Sequence, residues 1–275
     1  MWQTLLTRPQ DFAVGATAEA WFTRIAEVLL NRAVLVVNGV SHRLIEIEFY
    51  YNITGHADDF AHSHPLQALS GRWYFHRTGE SYRCGSFKGL DLALGDGVGY
   101  GGVLLRGLEK PDGTIIDGPS LLVDYLLKTT RHTSIVDLDA AIADKLAWDH
   151  RQPLMLREAD LTPRELLRTA RIGLSWKRRT ELANEPNRHF LVRRYRYLSQ
   201  PARTAKGKLQ TVLALLADGF SPEAIHTMTG SSVKVIQRYA AEFVAGRHEP
   251  NLARYYGCAW RSADVCRLHG ALRVP

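Results

Sequence analysis

Apolar positions in the first part of the chain fall at helical spacing and then at strand spacing, and they predict the first elements. Residues 17–32 carry apolar side chains at helical spacing, which predicts an amphipathic helix. The apolar face of that helix consists of Trp21, Ile25, Val28 and Leu29. Two β-rich runs, "AVLVV" and "RLIEIEFYY", then flank Asn38-Gly39, an arrangement that is typical of a β-hairpin.

Later patterns predict a second hairpin, more strands and more helices. "GRWYFHR", the polar tip "TGESYRCG" and "SFKGLDLAL" predict a longer hairpin, and "YGGVLLRGLEK" predicts a further strand. Gly118-Pro119 starts a predicted helix, because proline fits a first helical turn. Residues 162–165 ("TPRE") form a capping box that predicts a helix over "LLRTARIGL", and residues 189–199 predict a basic strand. Strands and helices do not alternate regularly, so the fold class is α+β with a mixed or antiparallel curved sheet and flanking helices.

The sequence pattern changes from mixed strands and helices to short helices after a polar, Pro/Gly-containing linker at residues 199–207. Three short helices are predicted over "KLQTVLALLADG", "FSPEAIHTMTG" and "SSVKVIQRYAAEFVAGR", and Ser221 caps the second. This segment resembles a helix-turn-helix DNA-binding module, whose third helix enters the major groove. The outward residues of that helix are Ser231, Ser232, Lys234, Val235, Gln237 and Arg238. A small helical bundle used for packing or dimerisation is the alternative.

We therefore predict three regions: a domain over residues 1–200, a helix-turn-helix domain over 201–250, and a tail over 251–275. Charge is also distributed unevenly along the chain. Residues 1–150 carry 13 basic and 18 acidic residues, a net charge of −5, whereas residues 151–275 carry 22 and 10, a net charge of +12. A basic second half indicates a polyanionic partner that the C-terminal part contacts, and a solvated basic surface is the alternative.

Composition narrows the class of protein. Hydrophobic residues make up 45% and charged residues 23% of the 275 residues, as in globular domains. Apolar runs are too short for a membrane span and the N-terminus lacks a signal-peptide pattern, so we expect a cytoplasmic protein, nucleoid-associated if bacterial. The three cysteines are too few for a disulfide framework. We expect them to be structural, with zinc held by Cys258, Cys266 and His269 as the alternative.

Residues 43–64 concentrate four carboxylates, two tyrosines and three histidines. The stretch "EIEFY" (residues 46–50) followed by "DDFAHS" (residues 58–63) resembles the signature of the alkyladenine (3-methyladenine) DNA glycosylase family. Further pieces follow in the family's order: "GRWYFHR", "GGVLLRGLEK", "DGPSLL" and "ARIGL…FLVRRYRYLS". The resemblance spans roughly residues 20–200.

The resemblance implies a role for each matching residue. Glu48 is the base that orients and deprotonates a water, and Arg106 helps to hold that water. Tyr50 and His62 stack on the two faces of a base turned out of the duplex. Tyr82, with Arg83 nearby, is the wedge that fills the gap left in the DNA.

Two departures from the family suggest a different substrate. His76 stands where the family has an aromatic pocket wall, and Asp91 is nearest to an asparagine that screens guanine. An ionised Asp91 accepts hydrogen bonds and would favour a base with an exocyclic amine. We therefore hypothesise a larger modified base, such as a hypermodified phage cytosine, rather than simple alkylated adenine.

The sequence thus predicts a monofunctional DNA glycosylase that needs no cofactor and acts on double-stranded DNA containing a modified base. No lysine is evident where a strand-cleaving Schiff base would form, and no membrane partner is expected. The alternative is a non-catalytic helix-turn-helix regulator on a glycosylase-like scaffold. Both repair and defence against phage are compatible with this sequence.

Overall fold

The computed structural model describes residues 1–12, 15–177, 188–249 and 251–272. It is an α+β protein, and it divides into two compact units. The first unit consists of residues 1–166 and 197–199, and the second consists of residues 167–196 and 200–275. Residues 167–196 thus belong to the second unit, although the sequence prediction placed them in the first region. None of the described helices is long and apolar enough to cross a membrane.

The first unit is built on a large antiparallel sheet with flanking helices, as predicted. Its helices are α1 (Trp2–Leu6), α2 (Gly15–Asn31), α3 (Pro119–Thr130) and α4 (Ile135–Ile142). Its strands are β1 (Ala33–Val37), β2 (Val40–Ile53), β3 (His56–Ala57), β4 (Trp73–Phe75), β5 (Arg77–Thr78), β6 (Ser81–Tyr82), β7 (Leu90–Ala93), β8 (Tyr100–Glu109), β9 (Ile115–Asp117) and β10 (Leu154–Glu158). The main strand order is β10-β1-β2-β8-β7-β4, with β3 beside β2 and β9 beside β8.

Both predicted hairpins of the first unit are confirmed. Asn38 and Gly39 join β1 to β2 with φ angles of 48° and 83°, the positive values that a two-residue type I′ turn requires. Strands β4 and β7 form the longer hairpin, and the small β5–β6 hairpin lies within its connection. The first hairpin brings the long strand β2 into the middle of the sheet.

Strand β2 sends alternate side chains to opposite faces of the sheet. Helix α2 covers one face with the predicted apolar residues, and the ring of Phe22 stacks on Phe49 with centroids 4.6 Å apart. Tyr51 lies on the same face, 5.7 Å from the ring of Trp21. From Glu46 onward, the even-numbered residues of β2, which include both glutamates, therefore point to the opposite face.

Among the residues that the structure describes, the second unit contains the three predicted helices and one that the sequence did not predict. Its elements are β11 (Leu167–Thr169), the start of β12 (Arg196–Leu198), α5 (Lys208–Ala217), α6 (Pro222–Thr229), α7 (Val233–Gly246) and α8 (Ser262–Ala271). The Ser221 hydroxyl caps α6 as predicted, accepting a hydrogen bond from the Ala224 amide at 3.2 Å. One core of this unit contains Val212, Leu215, Ile225 and Ile236.

Helix α8 lies in the region predicted only as a tail. It packs against α7 at backbone distance, since a Cβ added to Gly270 would lie 2.0 Å from the carbonyl oxygen of Phe243. A Cβ added to Gly246 would lie 2.1 Å from the carbonyl oxygen of Arg267. The weak apolar pattern of residues 262–271 hid this helix from sequence reasoning.

Two element predictions were wrong. The helix expected after the capping box at residues 162–165 is absent from the described chain: residues 159–166 have no regular structure, and β11 follows. The Asn31 side chain donates to the Arg164 carbonyl and accepts from its amide, both at 2.9 Å. These bonds satisfy backbone groups that a helix would otherwise pair internally.

The strand expected over residues 189–199 is mostly not a strand. His189–Leu191 forms a short 3-10 turn, and only Arg196–Leu198 is extended. The guanidinium of Arg193 lies over the Phe190 ring, 4.7 Å from its centroid, and its Nη1 donates to the Tyr195 hydroxyl at 2.8 Å. These contacts favour a folded-back segment.

The stretch predicted as a linker, residues 199–207, makes defined contacts with the helix that follows it. The Lys208 side chain donates to the carbonyls of Pro201 and Ala202 at 2.8 and 3.0 Å.

Candidate functional site

Two glutamates of β2 share one arginine of β8 on the sheet face opposite α2. Arg106 Nε donates to Glu46 Oε1 at 2.8 Å, and Arg106 Nη1 donates to Glu48 Oε2 at 3.3 Å. Glu46 is fully buried, and Glu48 and Arg106 are 4% and 6% exposed. The sequence therefore named a residue pair, Glu48 and Arg106, that the fold brings into contact.

A local irregularity in the β2–β8 pairing makes this contact. Glu46 pairs with Gly107 and Ile47 pairs with Leu105, so Arg106 is the extra residue of a bulge. Its side chain consequently lies between the two glutamates. Such bulges reorient individual side chains, and they are common beside functional sites.

Both carboxylates contact the guanidinium of Arg106 and determine its protonation. Burial by itself lowers the pKa of Arg106, but the Coulombic attraction of Glu48 and Glu46 outweighs it and raises the pKa. Arg106 is therefore a permanent cation at this position. A buried, hydrogen-bonded carboxylate held beside a fixed cation is suited to orienting a small polar molecule.

Asp91 of β7 lies on the same face as Glu48. Asp91 pairs with Leu104 and Leu104 pairs with Glu48, and directly opposed residues of neighbouring strands share a face. The Tyr50 hydroxyl donates to Asp91 Oδ2 and accepts a hydrogen bond from Gln67 Nε2. This geometry depends on Gly102, where an added Cβ would lie 2.4 Å from the Tyr50 hydroxyl oxygen. Burial, followed by the negative charge of Asp91, raises the pKa of Tyr50 well above its usual value.

Asp91 also orients His76. His76 Nε2 lies 2.8 Å from Asp91 Oδ1, and Gln67 Nε2 lies 3.4 Å from Asp91 Oδ2. The carboxylate is fully buried, and both of its oxygens face protein donors. This corrects the expectation that Asp91 reads an exocyclic amine: the carboxylate positions Tyr50 and His76 instead.

The ring of His62 packs on His76 with centroids 4.9 Å apart. Burial, then His76 and Arg83, lowers the pKa of His62 to about 4, so its imidazole is neutral at pH 7. The structure thus joins Tyr50, Asp91, His76 and His62 in one continuous network.

A pocket of about 380 Å³ opens beside His62. We call it the His/Arg pocket, after its main side chains. The side chains that line it include those of Phe60, His62, His64, Tyr74, Arg77 and Arg83. Glu48 is not among the lining residues, and neither is Tyr50.

The predicted wedge residues are both near this pocket, but neither projects freely. The Tyr82 hydroxyl donates to Asp139 Oδ2 at 2.6 Å, and the guanidinium of Arg77 lies 4.2 Å from the centroid of its ring. Tyr82 is thus held against Asp139 and Arg77 in the β5–β6 hairpin, and its role as the wedge stays a prediction. Arg83 is half-buried in the pocket wall, where its Nε lies 3.3 Å from Thr78 Oγ1.

Sequence reasoning missed four residues of the site: Gln67, His64, Tyr74 and Arg77. Gln67 lies in the 3-10 turn Pro65–Ala68 and is fully buried. The pattern His64-Pro65 followed by Gln67 marks a capped turn, since His64 and Gln67 cap it reciprocally. That signal locates the turn, but only the tertiary structure brings Gln67 to Tyr50.

In the second unit, α7 presents the residues that the sequence assigned to DNA. Ser232, Lys234, Gln237 and Arg238 are exposed, and Ser231 is half-buried. Within the described ranges, no group of three or more His, Cys, Asp or Glu side chains is arranged to hold a metal ion. Cys258 is exposed, whereas Cys266 is buried in a core with Leu213 and Phe243. Burial alone lowers the pKa of His269 to about 4.

Comparisons with known proteins place the chain in a family but give no activity. No protein-family model matches the sequence. An uncharacterized protein of Acanthamoeba polyphaga mimivirus, L759, is 35% identical over 174 residues. The match covers 58% of this chain and 81% of the viral protein. The chain therefore belongs to the same family as mimivirus L759.

Proposed function

We propose that this protein is a monofunctional DNA glycosylase that everts a modified base and hydrolyses its N-glycosidic bond. The observation that carries this proposal is the buried contact between Glu48 and Arg106, on the sheet face that also bears Tyr50 and Asp91. A buried carboxylate at this position would stabilise positive charge that develops on the sugar.

The chemistry follows from the charges. As the N-glycosidic bond breaks, its electron pair leaves with the base and positive charge builds on the sugar. Glu48 stabilises that charge and takes a proton from water, whose oxygen forms the new bond to the anomeric carbon. Arg106 donates a hydrogen bond to the Glu48 carboxylate and so keeps its lone pairs directed towards the water. The products are the released base, which takes up a proton, and an abasic site.

The substrate we propose is double-stranded DNA with a bulky or hypermodified base, in repair or in defence against phage. The replacement of an aromatic wall by His76 supports this choice, and so does the open His/Arg pocket beside His62. Helix-turn-helix geometry is our proposal for α5–α7 of the second unit. The exposed cations Lys234 and Arg238 on α7 support it.

Glu48→Gln tests the proposal directly. Duplexes carrying single modified bases are incubated with the full chain, and abasic sites are scored after alkaline cleavage. We expect the wild-type protein to excise at least one base and Glu48→Gln to lose at least about 100-fold in rate, the size of a general-base contribution. Binding of the same duplex should persist, because the amide preserves the shape of the side chain.

Glu158→Gln is the matched control, since Glu158 is an exposed residue of β10. It should excise at the wild-type rate. Excision by Glu48→Gln at the rate of this control would refute the assignment of Glu48 as the general base. Duplex binding without excision by any form would support the alternative, a non-catalytic DNA-binding regulator.

A further inference from the structure

We propose that the His/Arg pocket is an anion-binding site for a negatively charged group of the everted nucleotide. The anion is either an acidic substituent of the modified base or the phosphate next to its sugar. This inference rests on the proposed function, because it names the substrate chemistry of the same site. It goes further by requiring a negative charge, which neither a bulky nor a hypermodified base needs to have.

The charge of the pocket walls supports an anionic ligand. Arg77, Arg83, His62 and His64 line the pocket, and no carboxylate is among the side chains that line it. Arg77 is neutralised in part by Asp139, whose Oδ2 lies 2.8 Å from Arg77 Nη2. Arg83 has no ion pair with an acidic residue in the described part of the chain. The pocket therefore carries a positive charge that a bound anion would neutralise.

A hydrogen-bond donor is available in the wall of the pocket, at Tyr74. The Tyr74 hydroxyl accepts from the Arg77 amide at 3.3 Å, so its own hydrogen is available to a ligand oxygen. The Nε of Arg77 also has no hydrogen-bond partner among the described residues, but it is buried below the surface.

The lowered pKa of His62 agrees with a positively charged pocket, although charge is not its main cause. Burial contributes most to the pKa near 4, and the next contributions come from His76 and Arg83, which disfavour the charged imidazole. Asp91 acts in the opposite direction. Arg83 therefore acts on this ring as a positive charge, as it would on a bound anion.

The aromatic rings of the pocket indicate which kind of molecule bears the negative charge. The ring of His62 lies on His76, and the ring of His64 lies 5.1 Å from that of Tyr74 at an interplanar angle of 31°. The rings of His62, His64 and Tyr74 line the pocket and offer surfaces on which a planar group can stack. The volume of about 380 Å³ is within the range of roughly 300–1,000 Å³ that small-molecule sites occupy. A nucleobase with an acidic substituent fits both the shape and the charge.

Arg83 is the residue on which to test this inference. Arg77 also holds Tyr82 and Asp139, so replacing it would disturb the β5–β6 hairpin. Among the described residues, the side chain of Arg83 donates a hydrogen bond from its Nε to Thr78 Oγ1 at 3.3 Å. Arg83→Gln therefore removes the charge with little effect on folding, and Arg83→Lys keeps it.

Binding is measured by fluorescence anisotropy with the full chain carrying Glu48→Gln, so that excision does not enter the result. The probes are labelled duplexes with a single cytosine, 5-hydroxymethylcytosine or 5-carboxycytosine, each at several salt concentrations. We expect the 5-carboxycytosine duplex to bind at least about 10-fold more tightly than the 5-hydroxymethylcytosine duplex, a difference of roughly 1.4 kcal/mol. Arg83→Gln should lose this preference, and Arg83→Lys should keep it.

The control is Arg24→Gln, at an exposed arginine of α2 outside the pocket, which should also keep the preference. A different outcome is that Arg83→Gln weakens the binding of all three duplexes equally and reduces the slope of log affinity against log salt concentration by about one. That result would identify the bound anion as a backbone phosphate, and it would still support the anion-binding site. The proposal is overturned if Arg83→Gln binds each duplex as Arg24→Gln does. Failure of excision by the wild-type protein would refute the glycosylase proposal and leave this binding result standing.

Discussion

At the scale of single residues, Asp91 is a buried carboxylate that three neighbouring side chains contact. It receives hydrogen bonds from Tyr50 and His76, and Gln67 contacts it as well. A buried carboxylate with three protein donors holds its neighbours in fixed orientations. Changes at Asp91 should therefore act on stability and on the geometry of the rings together.

Asp91→Asn should lower the free energy of unfolding by about 1–3 kcal/mol, because an amide nitrogen would replace one of the two accepting oxygens. Urea unfolding followed by circular dichroism measures this change. Asp144→Asn is the control, since the Asp144 side chain is 80% exposed and its ion pair with Arg72 spans 3.8 Å. Equal stability of the two variants would show that the Asp91 network contributes little.

His62 should make the protein sensitive to mild acid. Its pKa falls from 6.5 in the unfolded chain to about 4 in the folded protein, because burial, His76 and Arg83 disfavour its charged form. The unfolded state thus binds more protons below pH 6.5, and the stability contributed above that pH is lost as the pH falls towards 4. Asp91 and His64 also face this ring, and Asp91 opposes the shift.

Replacing His62 should therefore reduce the loss of stability between pH 7 and pH 4.5. His62→Gln and the exposed-site control His248→Gln are compared by urea unfolding at both pH values. We expect the wild-type protein and His248→Gln to lose the same free energy, and His62→Gln to lose less. A loss in His62→Gln that matches the control would contradict the lowered pKa.

At the scale of elements, the packing of α8 on α7 depends on two glycines. Replacing a helical glycine by alanine ordinarily stabilises a helix by about 1 kcal/mol. A Cβ at Gly270 would instead lie 2.0 Å from a backbone oxygen of α7, which cannot move independently of its helix. A loss of stability on replacing Gly270 by alanine therefore indicates that the two helices are in contact, and a gain indicates that they are not.

Gly270→Ala should lower the free energy of unfolding by about 1–3 kcal/mol through overpacking. Ala241→Ser, on the exposed face of α7, is the control, and it should change stability by about 0.5 kcal/mol at most. Thermal and urea unfolding of both variants measure the difference. A stabilised Gly270→Ala protein would show that α8 does not pack on α7 as described.

At the scale of the whole molecule, positive charge is concentrated in the second half of the chain. Residues 1–150 have a net charge of −5 and residues 151–275 have a net charge of +12. Affinity for duplex DNA should therefore depend on cations of the second half. It should also fall steeply with added salt.

Lys234→Gln combined with Arg238→Gln should weaken binding to duplexes of any sequence and reduce the salt slope by about two. Arg24→Gln combined with Arg157→Gln removes the same charge from exposed sites of the first unit, and it serves as the control. Anisotropy titrations at several salt concentrations give both quantities. If the control weakens binding as much, net charge alone governs affinity and α7 has no special role.

The sequence by itself determined most of the elements, because local chemistry fixes them. Asn38-Gly39 allows the positive φ angles of one turn, and Pro119 starts a helix at the predicted position. Alternation along β2 placed Glu46 and Glu48 on one face of the sheet. Arg106 was expected beside Glu48, although that expectation came from a family resemblance and not from spacing.

Only the tertiary structure decided what depends on contacts between distant residues. The Asn31 side chain satisfies the backbone of Arg164 and removes a helix that its own sequence favoured. Asp91 is enclosed by Tyr50, Gln67 and His76, which come from three other segments of the chain. A sequence pattern records local preference, whereas burial and hydrogen-bond satisfaction depend on the partners that folding brings together.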